Sequence, residues 1–449
     1  MLSSALTGAV AGMKTTGARI DTVTKNVTNA NTAGFAKRVQ EQRTDPAGGV
    51  RAGDVARVVD ETLVREHRGS VGRAAEQGVL AEALARIDTL SGKSDDRVSL
   101  VARFADLEAD LRTATVRPSD ENVLIDAVDA ARKVAQTFQT VSQEVTEVRV
   151  ESAKEITRVV GDIAEIVGNI ADLNKGISRS SGPGRDVNAL YDERDRQILA
   201  LSELMEVDVQ EDAAGNAIVT TKSGRTLVGL DGPAAVSASA DGDLVVNGVI
   251  AAPGRGTLSG HQAVAREIAP RVQEQLDDLA AAAAEMFAFD EIVLFTDAGD
   301  VPFDPADPTQ QVGFASRIQV NSAIVGDPHE LRGAVTDAGD ASRLTQMLTN
   351  ATRGDITFTA PGLPSVGSIA SASTSLVAGV AGSYANAKAD LDAANSYVDL
   401  TGTMATERSE VDLDSELATL IMLQNAYQAS ARVVQLTQRL SDELLETVR

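Results

Sequence analysis

Residues 2–27 read LSSALTGAVAGMKTTGARIDTVTKNV, and the fold class follows from how this stretch repeats. Leu2, Leu6, Ala9, Met13, Thr16, Ile20, Val23 and Val27 recur in alternating steps of four and three, the spacing of a coiled-coil seam with a polar break at Thr16. Gly8, Gly12 and Gly17 interrupt the segment, each costing about 1 kcal/mol relative to Ala in a helix interior. A helix this weak needs a partner. Asn29, Asn31 and Gly34 then stop it, because Asn and Gly tolerate the left-handed backbone at helix ends.

The partner is expected at the other end of the chain. Leu413, Leu417, Leu420, Tyr427, Ala431 and Val434 follow three-to-four spacing, and the stripe then drifts to Leu436, Leu440 and Leu444. From Leu413 to Arg449 there is no Gly or Pro, which predicts an unbroken helix. The ends also differ in sign: residues 1–43 carry six basic against two acidic side chains, and residues 404–449 carry four against eight. Two weak amphipathic segments of opposite charge are suited to pair.

Between them, residues 74–90 and 98–113 read as helices, and Pro118-Ser119-Asp120-Glu121 opens a longer one. Its pattern continues through Ile163, Ile166, Ile170 and Leu173 to a break at Ser180-Ser181-Gly182-Pro183-Gly184, and another helix spans Val187 to Leu204. The period then changes. Short runs at Val207–Gln210, Ala217–Thr221, Thr226–Val228 and Leu244–Val246, separated by Gly-, Asn- and Asp-containing turns, predict strands. Helices resume over Val264–Phe287, an irregular stretch covers 290–313, and helical patterns return at 341–352 and 365–401. The expected fold is mainly α with a β-rich insertion. It comprises a terminal coiled coil (1–44 with 404–449), a helical-bundle body (45–205 with 321–403) and a small β domain (206–320).

Composition narrows the function. The 449 residues hold 41 Lys and Arg against 65 Asp and Glu, a net charge of −24 that repels phosphate backbones and anionic lipid, so no nucleic acid and no membrane partner is expected. No run of 18 apolar residues occurs, and the N-terminus lacks a basic region followed by an apolar block and a cleavage site. Aromatic content of 3% favours thin helical layers of Ala, Leu, Val and Ile over a broad ligand pocket.

Raw material for catalysis is scarce. With no Cys, and with His67, His261 and His329 scattered, neither a nucleophile–base pair nor a metal cluster is expected, and each His reads as an exposed polar residue. Gly254-Arg255-Gly256-Thr257-Leu258-Ser259-Gly260 misses dinucleotide-binding spacing by one residue and reads as a turn. Asp297, Asp300, Asp304 and Asp307 lack the ligand order of a calcium loop, and Pro302, Pro305 and Pro308 favour an extended surface loop. Asp192-Glu193-Arg194-Asp195-Arg196 reads as a solvated helix start. No catalytic, cofactor-binding or metal residues are expected, and the chain is not read as an enzyme.

Two motifs carry a resemblance. Asn26-Val27-Thr28-Asn29-Ala30-Asn31-Thr32-Ala33-Gly34-Phe35 resembles the N-terminal signature of flagellar axial proteins. Glu416-Leu417-Ala418 with Gln424-Asn425-Ala426-Tyr427-Gln428-Ala429-Ser430-Ala431-Arg432-Val433-Val434 resembles the matching C-terminal one. Asn188 to Asp195, followed by Leu201, Leu204 and Val207-Asp208-Val209, is similar to the hook-associated members of that family, as is Gln275 to Ala280 before Pro302-Phe303-Asp304. Ala33 and Phe35 stand where the family has Pro and Tyr, which implies a looser turn.

The resemblance implies a structural adaptor at the hook–filament junction. It implies export through the flagellar type III apparatus without a cleaved signal peptide, an extracellular place in the flagellum, and terminal helices that order on assembly. Implied partners are copies of itself in a ring-like or helical layer, the hook protein, a second junction protein and an export chaperone. The expected assembly interface is Leu2, Leu6, Met13, Ile20, Val23, Val27, Asn29 and Asn31 with Leu413, Leu417, Leu420, Tyr427, Ala431 and Val434. The alternatives are the hook protein or another axial subunit, a soluble coiled-coil signalling module, and a secreted enzyme on a flagellar-type scaffold using carboxylates at 192–195 or 297–307.

Overall fold

The computed structural model describes residues 2–32, 34–44, 50–92, 99–180, 187–289, 292–333 and 337–447; side chains at 2–5, 90–91, 289, 292 and 444–447 are not described. Ala33 and the expected break at 181–184 therefore lie outside the described residues. The chain is mainly α with small antiparallel sheets. It divides into two compact units, one of residues 1–74, 160–256 and 394–449, the other of 75–159 and 257–393.

In the first unit, α1 (Leu2–Asn29) pairs with α12 (Leu413–Thr447). The pairing is antiparallel: Gly12 lies beside Ser430, Gly17 beside Tyr427, and Asn26 beside Glu416. The most buried seam residues include polar ones, Thr15, Thr22 and Asn26 on α1 with Glu416 and Thr437 on α12, beside Val23 and Leu423. A hairpin of β1 (Arg38–Thr44) and β2 (Val50–Arg57) packs on α1, and the Thr15 hydroxyl, 2.9 Å from the Val50 carbonyl, donates to it. No strand is legible there in the sequence, because β1 reads Arg-Val-Gln-Glu-Gln-Arg-Thr and lacks apolar alternation.

α5 (Asn188–Leu204) leads into a four-stranded antiparallel meander. Its strands are β3 (Val207–Glu211), β4 (Ala217–Thr221), β5 (Thr226–Gly229) and β6 (Gly232–Pro233), followed by a three-stranded one, β7 (Val236–Ala238), β8 (Leu244–Val246) and β9 (Val249–Ala251). Asn174, near the C-terminal end of α4 (Glu121–Ser180), matches the backbone of β4 with both amide atoms, donating to the Ala217 carbonyl at 2.8 Å and accepting from its N–H at 3.0 Å. That satisfies backbone groups a two-residue shift would leave unpaired.

The second unit holds most of α2 (Glu61–Ser91), α4 and α11 (Ile369–Ser409), with α3 (Leu100–Val116), α6 (Thr257–Ala263), α7 (Ala269–Met286), the short α8 (Pro308–Gln311) and α9 (Ser322–Gly326), and α10 (Ser342–Ala351). α2 begins well before the expected start at 74. Between α6 and α7, residues Val264–Ile268 form a π turn, so the helix opens inside the glycine-bearing stretch read as a turn; only Gly254–Gly256 stay non-helical. The sparse aromatics concentrate here: Phe104 meets Phe138, Phe287 meets Phe295, and Phe303 meets Phe314 at centroid distances of 5.9, 5.6 and 4.8 Å. The alanine run of α7 lies against them, because small side chains let α7 be covered on nearly every side.

α7 also carries buried carboxylates. Asp277 accepts from the N–H groups of Gly313 and Ala315 at 2.8 and 2.9 Å, and Asp278 from those of Thr359 and Ala360 at 2.7 and 2.9 Å. Burial raises the Asp277 pKa against the pull of those donors. The acidic loop is built likewise: Asp297 takes a two-pronged grip from Arg317, at 2.9 and 3.0 Å, and Asp307 caps α8.

Candidate assembly interface

The seam residues named from the sequence fall into three groups. Leu6, Met13, Ile20 and Val27 are half-buried and Val23 buried, while the Leu2 side chain lies outside the described residues. Leu420, Ala431 and Val434 are half-buried, whereas Tyr427, Leu413 and Leu417 are 39, 40 and 46% exposed. Asn29 bonds back to the Lys25 carbonyl at 2.9 Å, and Asn31 is exposed. α12 also carries Ile421, Met422, Val433, Leu436 and Leu440 in the open, away from α1. A helix turning 3.6 residues per turn cannot direct both sets toward a single partner.

The base of the seam is ionic. Asn26, 1% exposed, donates its side-chain amide to the Arg38 carbonyl at 2.9 Å and to the Glu416 carboxylate at 3.1 Å, and accepts from the Arg38 N–H at 3.0 Å. Glu416 also pairs with Lys37 at 2.8 Å, and the Lys37 N–H donates to the Ser409 carbonyl. Asn26, Glu416 and Lys37 thus join α1, the segment leading into β1, the end of α11 and the start of α12. The paired ends meet through hydrogen bonds that fix register as well as through apolar contact.

Behind this junction Asp192 binds Arg38 at 3.1 Å and Arg57 at 2.9 Å, and Asp195 binds the other prong of Arg57 at 2.6 Å. The Arg38 guanidinium lies 4.8 Å from the Phe35 ring centroid. Arg194, 1% exposed, pairs with Glu211, donates to the Gly215 carbonyl at 2.7 Å and stacks over Tyr191. The segment read as a solvated helix start is therefore a buried ionic centre. Alternating charge marks a solvated face only where no partner arrives from elsewhere, and Arg38 and Arg57 arrive from far up the chain. Asn26 and Glu416 stand in the quoted motifs without having been named as site residues. A polar pair at seam spacing was the available signal.

Gly215 sits at φ +80°, and a Cβ there would collide with the Tyr191 hydroxyl. Gly215→Ala is expected to destabilise the first unit by about 1–3 kcal/mol, through left-handed strain and displacement of the Tyr191–Arg194 stack. A lowered urea midpoint checks this; an unchanged one would refute it.

The histidines are half-buried, not exposed as read. His67 lies 3.2 Å from the Thr401 hydroxyl, and burial lowers its pKa, as it does that of His261. Among the described residues no group of three or more His, Asp or Glu has metal-binding geometry, and no helix is long and apolar enough to cross a membrane.

A family model described as the flagellar hook-associated protein FlgK helical domain matches residues 84–288, and one described as the flagellar basal body rod FlgEFG protein C-terminal matches 403–447. Flagellar hook-associated protein 1 of Bacillus subtilis is 26% identical over 96% of this chain and 94% of its own length. That of Salmonella typhimurium is 26% identical over 51% of this chain and 43% of its own. The solved structure of the flagellar hook junction protein FlgK from Burkholderia pseudomallei aligns with 53% of this chain and 45% of its own, at 22% identity and a TM-score of 0.44. With a helical body matched by the first model and a C-terminal helix matched by the second, the chain is similar to flagellar hook-associated protein 1 (FlgK) along nearly its whole length.

Proposed function

We propose that this chain is the structural adaptor that assembles on the distal end of the hook and permits filament growth. The observation that carries this is the alignment with a hook-associated protein 1 along nearly the whole of both chains. The exposed apolar side chains on α12 support self-assembly, since a single copy leaves them uncovered. Further partners in this reading are the hook protein, a second junction protein and an export chaperone, and delivery is by the flagellar export apparatus without a cleaved signal peptide. Its role is structural, with no catalytic step.

A second reading, the hook protein or another axial subunit, draws on the rod-type model matched at residues 403–447. Electron microscopy of a strain lacking the gene, with flagellin assayed in the medium, separates them. Hooks without filaments and flagellin lost to the medium are expected. Missing or malformed hooks would move the assignment to a hook or rod subunit, and intact filaments would overturn both.

A further inference from the structure

A cleft of about 370 Å³ lies along the first turns of α2 above β3, and its charge runs against the chain's net −24. Arg65, Arg68 and Arg73 of α2 line it with Arg255, which follows β9. Among the described residues none of these four guanidinium groups has a hydrogen bond or ion pair, whereas the carboxylates in the same cleft are engaged. Glu66 accepts from the Tyr397 hydroxyl at 2.6 Å, and Glu206 and Asp208 each lie 3.4 Å from Lys222. Burial lowers the Arg68 pKa, offset by the more distant Asp195 and Glu61, so this cation is partly dehydrated without a partner in contact. Beside it, Gly69 leaves the cleft wall open, with nothing near where a Cβ would stand. Arg65 to Arg73 spans about 12 Å along the helix, a row of planar forks suited to carboxylates rather than to one small anion.

The opposite pattern occurs where α11 gives way to α12. Glu407, Glu410, Asp412 and Asp414 are exposed there, next to exposed Leu413. Asp412 caps α12 through the N–H groups of Asp414 and Ser415, while the side chains of Glu407, Glu410 and Asp414 have no hydrogen bond or ion pair among the described residues.

We propose that the arginine cleft of one copy receives the acidic corner between α11 and α12 of a second copy. The inference rests on the self-assembly in the functional reading above and names surfaces for it. Two different patches meet, so the contact is heterologous and the pair keeps one cleft and one corner free, which propagates a layer instead of closing a pair. Charge complementarity of this kind sets register and partner choice, with the exposed Leu413 supplying apolar contact.

Charge reversal in the full chain, expressed in the deletion strain, tests it. Arg65→Glu with Arg68→Glu, and separately Glu407→Lys with Glu410→Lys, are each expected to reduce filament-bearing hooks by about tenfold or more. Export into the medium and the thermal melting of the purified chain should stay unchanged. Combining both sets should restore most filaments, because the reversed charges again match. Normal filaments with the arginine set alone would overturn the cleft. Loss without rescue by the combination would overturn the second copy as its occupant and assign the cleft to another acidic partner. Should the arginine reversal unfold the chain, Arg65→Ala with Arg73→Ala, both exposed, takes its place: fewer filaments supports the cleft and an unchanged number overturns it. The deletion phenotype is read separately, so hooks without filaments uphold the junction role even where the cleft fails.

Discussion

Asp192→Ala is expected to destabilise the first unit by about 3–5 kcal/mol, the cost of removing one partner from a buried ion pair and leaving the other charged. Asp192 is 7% exposed and serves two cations, Arg38 from β1 and Arg57 from β2. Its loss takes a carboxylate from the buried Arg38 and leaves the largely buried Arg57 with Asp195, the two guanidinium groups standing on paired residues at the open end of the hairpin, and neither can lose its proton at any accessible pH. Arg38 is also the residue whose backbone holds Asn26, so the disturbance passes to the junction of α1 and α12. Asp195→Ala is the control, because the Asp195 side chain is 35% exposed and such a pair contributes about 1 kcal/mol or less. Urea unfolding of the purified chain should show a much lower midpoint for Asp192→Ala than for Asp195→Ala. Equal midpoints would show that Asp192 is not the centre of this network.

Ile421→Asp combined with Leu436→Asp is expected to leave the single chain's stability within about 0.5 kcal/mol and to abolish its incorporation into flagella. Both side chains are 60% exposed, so the free chain gives the new carboxylates access to water. If neighbouring copies cover this face, each lost leucine or isoleucine removes about 1.5–3 kcal/mol of burial, and each buried unpaired carboxylate adds several more. The contrast is with Leu420→Asp, the change that the heptad pattern marks for blocking assembly. Leu420 is half-buried within one chain, so that substitution is expected to weaken the free chain as well. Melting of the exported protein, with immunogold labelling of hook ends, distinguishes the two effects. Normal labelling of the double variant would remove the outer face of α12 from the assembly interface.

The terminal helices were legible in the sequence because a helix writes its partner-facing side at fixed spacing, and nothing distant is needed to see Leu6, Met13 and Ile20 on one face. The long α4 and the strands β3, β4, β5 and β8 were legible for the same reason, from boundary residues and a change of period. The hairpin of β1 and β2 was not, since its strands are mostly exposed and their residues, RVQEQRT and VRAGDVAR, carry no sustained apolar–polar alternation. Nor was the division of α12 into a face meeting α1 and an exposed one, because both consist of leucine-like residues and only the position of α1 separates them.

What the sequence by itself determined is the pairing of two weak, oppositely charged end helices and the motifs that place the chain among axial proteins. What only the tertiary structure decided is where the charge goes. Asp192 lies more than 130 residues from Arg38 and Arg57, and Glu416 about 390 from Asn26. Such long-range ionic contacts follow no period along the chain, so which charges are buried and paired and which are left free becomes known only once the backbone brings them together.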